Sequence, residues 1–434
     1  MRTTTSRRRL LTATGTAATA ATVAGLLAAS SLTTASAQPT TQPTTQPWAS
    51  AWTASPQRAS KSFQQNWSEE GFKNQTIRQV VRVTAPGEAV RITLSNRYGS
   101  SPLRVTGASI AVSGKDGAVL PGTSRPLSFD GHRSPSIPVG GKLLSDSAEL
   151  KLRALQKVTV TLYLRERTGS ATFHDQAYAT SYRARGDHRN DLRGAGRGGA
   201  FTDTSKSLYY LTDIEVRGRT APRGSVLAFG DSITDGFGST VDADNRWPDE
   251  LAEQLDAKGN PRPVLNAGIG GNLLLHDSSW FGDSAWSRFE RDALSKPGVR
   301  TLVLLGGLND IGYSEVDLPT YQPSPDITVS ELIAQQSELA RRAHRKGLRV
   351  VGATLLPMKG AEYYNAVSAA KIRKLNRWIR TTSAFDDVLD FNRALAAPGD
   401  PERLNPAYDS GDRKHPNDAG YAVMGRVAER SPLI

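Results

Sequence analysis

Apolar positions along this chain keep two different rhythms. Over residues 48–220 they recur at every second position. Val90-Arg91-Ile92-Thr93-Leu94-Ser95 and Val158-Thr159-Val160-Thr161-Leu162-Tyr163-Leu164 alternate strictly, and Thr76-Ile77-Arg78-Gln79-Val80-Val81-Arg82-Val83 is rich in β-branched residues. A period of two turns one set of side chains to a core and the other to water. Ala85-Pro86-Gly87, Tyr98-Gly99, Lys115-Asp116-Gly117, Pro121-Gly122 and Gly140-Gly141 supply turns between the runs, and the Gly/Arg-rich stretch 183–199 reads as a loop. Tyr209-Tyr210-Leu211-Thr212-Asp213-Ile214-Glu215-Val216 reads as the last strand, and residues 217–224 as a junction. Short strands with regular turns predict an all-β sandwich, jelly-roll-like, over 48–220.

After the junction the rhythm changes. Ser225-Val226-Leu227-Ala228-Phe229, Pro263-Val264-Leu265-Asn266, Thr301-Leu302-Val303-Leu304-Leu305, Leu348-Arg349-Val350-Val351-Gly352-Ala353 and Val388-Leu389-Asp390-Phe391 are short strands, most of them continuously apolar. Amphipathic helical stretches lie between and after them, at 248–257, 329–346 (closed by Gly347), 366–382 and 417–428. Apolar strands alternating with helices predict an α/β layer fold over 221–434, with a parallel sheet buried on both faces.

The N-terminus belongs to neither rhythm. Ser6-Arg7-Arg8-Arg9-Leu10-Leu11 carries a twin-arginine pattern, a mildly apolar Ala/Thr/Leu stretch follows, and Ala35-Ser36-Ala37 offers small residues for cleavage. Residues 1–37 therefore read as a bacterial export signal of the twin-arginine type, and the chain as secreted. Residues 38–47, Gln-Pro-Thr-Thr-Gln-Pro-Thr-Thr-Gln-Pro, read as a Pro/Thr-rich linker. No internal apolar run reaches the roughly 18 residues of a membrane span, so no stable membrane insertion is expected.

Composition adds two constraints. The chain has no cysteine, which excludes disulfides and thiolate metal sites. The net charge of +12 is uneven: residues 38–220 hold 25 Lys and Arg against 14 Asp and Glu, and residues 221–434 hold 25 against 28. The basic half reads either as a solvated face or as a contact for a cell wall or acidic polysaccharide. Nucleic acid is not an expected partner, because no recognition motif accompanies the charge.

Open parallel sheets gather functional groups at the carboxyl ends of their strands. Four blocks here fall at such ends: Gly230-Asp231-Ser232, Asn266-Ala267-Gly268-Ile269-Gly270-Gly271-Asn272, Gly306-Gly307-Leu308-Asn309-Asp310 and Asp412-Arg413-Lys414-His415. A serine hydroxyl needs a base within hydrogen-bond reach, and His415 has the right chemistry near neutral pH. A neutral histidine needs an acid to hold its other nitrogen. Asp412 and Asp409 both lie near enough in sequence. Asp231 and Asp310 read as supports for their own loops. The sequence is not that of the α/β-hydrolase elbow, since Thr234 stands where Gly-x-Ser-x-Gly needs its last glycine. Leu273 occupies the third-glycine position of a dinucleotide fingerprint. No His-Glu-x-x-His or carboxylate cluster points to a metal, and no cofactor is called for.

In this order, the four blocks resemble the SGNH (GDSL) hydrolase family over about residues 225–434. The resemblance implies a three-layer α/β hydrolase domain and a serine esterase working through an acyl-enzyme. It implies Ser232 as nucleophile, His415 as base and, by the family's Asp-x-x-His spacing, Asp412 as orienting acid. It also implies three oxyanion donors: the N–H of Ser232, the N–H of Gly271 (preferred over Gly268 and Gly270 by its distance from Asn266) and the side chain of Asn309. Trp48-Ala49-Ser50-Ala51-Trp52-Thr53-Ala54-Ser55-Pro56-Gln57, Thr76-Ile77-Arg78-Gln79 and Leu94-Ser95-Asn96-Arg97-Tyr98-Gly99 resemble a bacterial subgroup that pairs a β domain with this hydrolase. The expected activity is removal of short acyl groups, acetyl foremost, from carbohydrate. Hydrolysis of small lipophilic esters as a lipase or arylesterase is the second reading, and a non-catalytic wall- or glycan-binding protein the third. Leu273-Leu274-Leu275-His276 and Trp280-Phe281 are expected either to line the acyl or leaving-group site or to tuck onto the sheet. His132, His174, His188 and His344 are expected to be surface or core residues.

Overall fold

The computed structural model describes residues 46–196, 198–218, 224–317 and 325–434. The expected export segment, residues 38–45 of the linker and residues 219–223 of the junction lie outside the described residues. Residues 46–434 form one compact unit, in which an antiparallel region is followed by a parallel one.

The parallel sheet has five strands. Val264–Gly268 lies at one edge, followed across the sheet by Ser225–Gly230, Val299–Leu305, Arg349–Ala353 and Asp387–Leu389. Ser225–Gly230 is buried at every residue, as continuous apolar runs require when both faces are covered. Helix Trp247–Ala257 packs with Asp418–Glu429, and Val329–Arg345 with Ala366–Thr381. Each of the five strands and four long helices falls within a few residues of its sequence expectation. Helix Val329–Arg345 starts at a capping box, in which Thr328 and Glu331 bond each other's backbone N–H groups.

The antiparallel region holds a six-stranded and a five-stranded sheet that share one apolar core, including Ile77, Val81, Ile92, Val160, Leu162 and Ile214. Here the sequence expectation needs three corrections. First, the polar faces of the strands are not open to water: Thr159 and Thr161 on strand Gln156–Leu164 are buried. Loops lie over that face: Thr159 donates to the Ser113 hydroxyl, and buried Arg78 donates to the carbonyls of Gly117, Asp191 and Arg193. Second, the Gly/Arg-rich loop begins three residues late, because Ser181–Arg185 is a strand paired with Gln75–Val83. Third, the expected strand over 209–216 is two pieces, Leu208–Tyr209 and Leu211–Arg217, broken at Tyr210 where φ is +64°.

Polar contacts tie the two regions together. Arg82 is buried and binds Asp249, Glu253 and the carbonyl of Asp244. Lys157 pairs with Asp244 at 2.8 Å, and Lys296 with Asp213 at 2.5 Å. Arg82 and Lys157 of the basic half thus meet acids of the other half, while Lys296–Asp213 runs the opposite way.

Candidate active site

Strand Ser225–Gly230 ends in a turn whose geometry follows from Asp231. Its Oδ1 accepts from the N–H of Ile233 at 3.0 Å and caps the short helix Ser232–Asp235. Its Oδ2 is buried and unpartnered, and burial pushes the carboxyl up to about 7. The helix stops at Gly236, whose φ of +111° a side chain would resist.

The structure brings Ser232, His415 and Asp412 together. Ser232 Oγ lies 2.7 Å from His415 Nε2, and His415 Nδ1 lies 2.5 Å from Asp412 Oδ2. The other oxygen of Asp412 accepts from the N–H groups of Lys414 and His415, so the carboxylate is fixed by the loop it orients. Burial would raise the Asp412 carboxyl, but the hydrogen bond and charge of His415 hold it well below the usual carboxylate range. Burial lowers the His415 imidazole, and Asp412 only partly offsets it. A neutral ring with its proton on Nδ1 can then accept the serine proton at Nε2. Phe237 packs on the ring at 4.3 Å. Asp409, the rival acid, accepts instead from the N–H groups of Gly411 and Arg413.

The glycine block separates its three candidates. The Gly268 N–H is taken by Asn266 Oδ1 and the Gly270 N–H by Asp235 Oδ2, each at 2.9 Å. Among the described residues, no acceptor bonds the Gly271 N–H. Gly271 has φ +73°, and a Cβ there would lie 2.3 Å from the Phe281 ring, so only glycine fits. The Asn309 side chain, one residue into helix Leu308–Tyr313, donates to the carbonyl of Asn272 at 3.0 Å and so sits beside the residue following Gly271. Asp310 accepts from the N–H groups of Leu274 and Leu275, and burial raises it to about 6. Leu273 and Leu274 are core residues, Leu274 packing on Gly306 and Gly307, while His276 is exposed. Phe281 is thus the residue of that stretch that meets the glycine block.

Two residues outside the motifs hold these loops. Arg288 is fully buried and donates to the carbonyls of Gly230 and Ala267, to Asn272 Oδ1 and to Ser55 Oγ, with Asp292 as its counter-ion. It joins the first two blocks from below, and burial pushes it down to about 10. His174 comes from the antiparallel region. Its Nδ1 faces the carbonyl of Ser55 and its Nε2 faces Asp235 Oδ1, both at 3.0 Å. Two acceptors satisfy both nitrogens only when both carry protons. Burial opposes that charge, but Asp235 outweighs it and raises the pKa. Neither residue had a sequence signal, since a lone Arg or His carries no spacing.

A cavity of about 830 Å³ lies elsewhere, lined by Leu356, Met358, Ile372, Arg377 and Asp390 among others, and it shares no residue with the Ser232 cluster. Beneath the nucleophile turn, the space bounded by Asp231, Leu273, Leu274 and Gly306 is only about 10 Å³.

Residues 228–423 match the GDSL-like lipase/acylhydrolase family. No curated protein matches the chain. Similar solved structures include a GDSL-like lipase from Bacteroides thetaiotaomicron, at 18% identity over 48% of this chain and 86% of that one with a TM-score of 0.35. An acetylxylan esterase from Geobacillus stearothermophilus is similar at 20% identity over 48% and 94%, with a TM-score of 0.37. Ser232, Gly271, Asn309, Asp412 and His415 all fall inside the family match, and the chain carries over residues 228–423 a hydrolase domain of the GDSL-like lipase/acylhydrolase family.

Proposed function

We propose that the protein is an exported serine carboxylester hydrolase that removes short acyl groups, acetyl foremost, from carbohydrate. The observation that carries the reading is the bonded series Ser232 Oγ–His415 Nε2, His415 Nδ1–Asp412 Oδ2. Ser232 Oγ attacks the ester carbonyl and passes its proton to His415 Nε2. Asp412 stabilises the resulting imidazolium. The tetrahedral oxyanion is met by the N–H of Ser232, the N–H of Gly271 and the side chain of Asn309. Collapse breaks the ester C–O bond, and His415 returns the proton to the leaving alcohol. Water, deprotonated by His415, then releases the acid and restores Ser232.

Export rests on the twin-arginine segment, and contact of the basic antiparallel region with wall or acidic polysaccharide on the charge surplus outside the internal pairs. The test is a panel of acetyl-xylan, p-nitrophenyl acetate and longer p-nitrophenyl esters. The expected order puts acetyl esters first, and Ser232→Ala loses about 10⁴-fold or more in kcat. A wild type indifferent to acyl length favours the lipase reading. A variant equal to wild type ends the serine-esterase reading.

A further inference from the structure

One carboxylate joins the nucleophile helix to the glycine block. Asp235 closes helix Ser232–Asp235, and its Oδ2 accepts from the Gly270 N–H at 2.9 Å. Gly268 packs on the Asp235 backbone so tightly that a Cβ there would lie 2.2 Å from the Asp235 nitrogen. Asp235 therefore sets how far apart two of the oxyanion donors stand: the N–H of Ser232, at the start of that helix, and the N–H of Gly271, next to Gly270. The other oxygen of this carboxylate is held from the antiparallel region, by His174 Nε2.

Asp235 and His174 are both buried, and among the described residues His174 is the one side chain that forms an ion pair with Asp235. The other charges near the imidazole are Asp175 on its own segment, Arg82 on strand Gln75–Val83, Asp244 and Arg246 on the loop ahead of helix Trp247–Ala257, and Arg288 beneath Ser55. Tyr178 also feels the Asp235 charge, and burial keeps its phenol neutral by raising it far above the ordinary value. Each arginine has its own acid, Arg82 and Arg246 in Asp249 and Arg288 in Asp292. A buried carboxylate needs a cation, and the two acceptors that face the His174 ring need both of its protons.

We propose that the His174 imidazolium is a positioning residue for the oxyanion site: it donates to the Ser55 carbonyl and to Asp235 Oδ1, and so fixes the carboxylate that spaces the N–H groups of Ser232 and Gly271. This rests on the esterase reading above. Loss of the His174 proton turns a lone pair toward Asp235 and frees the glycine block to shift, so kcat falls on the alkaline side while KM is spared. His415 acts in the opposite sense, since it must be neutral to accept the serine proton, and it gives the acid limb. Burial opposes the His174 charge but its acceptors outweigh burial, so the alkaline limb lies above the ordinary histidine value; burial lowers His415, so the acid limb lies below it.

The experiment measures kcat and KM on p-nitrophenyl acetate from about pH 5 to about pH 10 in wild type, His174→Gln and Asp235→Asn, with NMR of the histidine ring nitrogens. His174→Gln keeps an amide donor toward Asp235 and does not titrate. Asp235→Asn keeps an acceptor for the Gly270 N–H and removes the charge that holds the His174 proton. Wild type is expected to give a bell-shaped kcat profile. Both variants are expected to lose about tenfold in kcat at neutral pH with KM nearly constant. The alkaline limb vanishes in His174→Gln and moves to lower pH in Asp235→Asn. The ring signal absent from His174→Gln carries both protons at neutral pH in wild type. A His174 ring with a single proton there, a wild type without an alkaline limb, or a limb unmoved in either folded variant overturns the proposal and leaves the esterase standing. A wild type that hydrolyses no ester overturns the esterase reading and, with it, the role given to His174.

Discussion

The antiparallel and parallel regions bury polar groups in opposite ways. In the parallel sheet the strand interiors are apolar, and the polar groups crowd the carboxyl ends: Asp231, Ser232, Asn272, Asn309 and Asp310 are all buried there. In the antiparallel region the buried polar groups run along the strands themselves, as with Arg78, Arg82, Thr159 and Thr161, and find partners in covering loops and in the neighbouring region. Burial of a polar side chain is therefore a weak mark of chemistry here. Its place along the strand is the stronger one, because a parallel strand's end opens on a loop where backbone N–H groups and side chains converge.

That contrast can be broken by substitution. The largest effect is expected where a buried charge of the antiparallel region holds the other region. Arg82→Met removes one buried cation from a cluster in which Arg246 still pairs with Asp249 and Lys157 with Asp244, and is expected to cost about 3 kcal/mol of stability, read by chemical denaturation, with kcat of the surviving folded enzyme little changed. A large fall in kcat at full stability would erase the distinction drawn here. Next comes the strand-end side: Asn309→Ala is expected to lose about 10²–10³ in kcat on p-nitrophenyl acetate with KM nearly constant. A pure KM effect would move Asn309 from the oxyanion to substrate binding.

The smallest effect concerns Asp231. Its folded-state carboxyl is raised to about 7 from an ordinary value of 3.8. The folded state thus holds the proton more tightly, and the stability that this gives is present below about pH 4 and lost as pH rises through about 7. Asn at this position keeps the cap on Ile233 and never ionises. The Tm of Asp231→Asn relative to wild type is therefore expected to rise by at least about 2 °C between pH 5 and pH 8, measured by scanning fluorimetry. A constant gap would show that Asp231 stays ionised throughout.

The parallel region was largely legible in the sequence. Apolar runs of five or six residues and helices with clear periodicity leave little choice of fold, and the glycine and asparagine blocks stand at the strand ends where chemistry collects. Spacing alone left Asp409 beside Asp412 and three glycines in competition. The coordinates separate them by which groups are already bonded. The antiparallel region was less legible. Alternation located strands Gln75–Val83, Gly87–Ser95 and Gln156–Leu164 but misjudged what lies over their polar faces, because a face covered by a polar loop and a face covered by water look alike in a period-two pattern. Ser181–Arg185 was hidden for the same reason, its arginines reading as loop. Arg288 and His174 act through contacts between segments far apart in the chain, which no local pattern records.

Thr84 has a consequence of a different kind. Its hydroxyl accepts from the N–H of Val264 at 3.0 Å and faces the carbonyls of Val264 and Ala51 at 2.9 Å. Val264 begins the strand at the rim of the parallel sheet, where an unpaired backbone is a template for any passing strand. One threonine occupies both backbone groups there, and strand Ala49–Thr53 lies alongside. The antiparallel region thus shields the hydrolase sheet from self-association, and residues 224–434 made alone would be expected to stick to one another before they failed to catalyse.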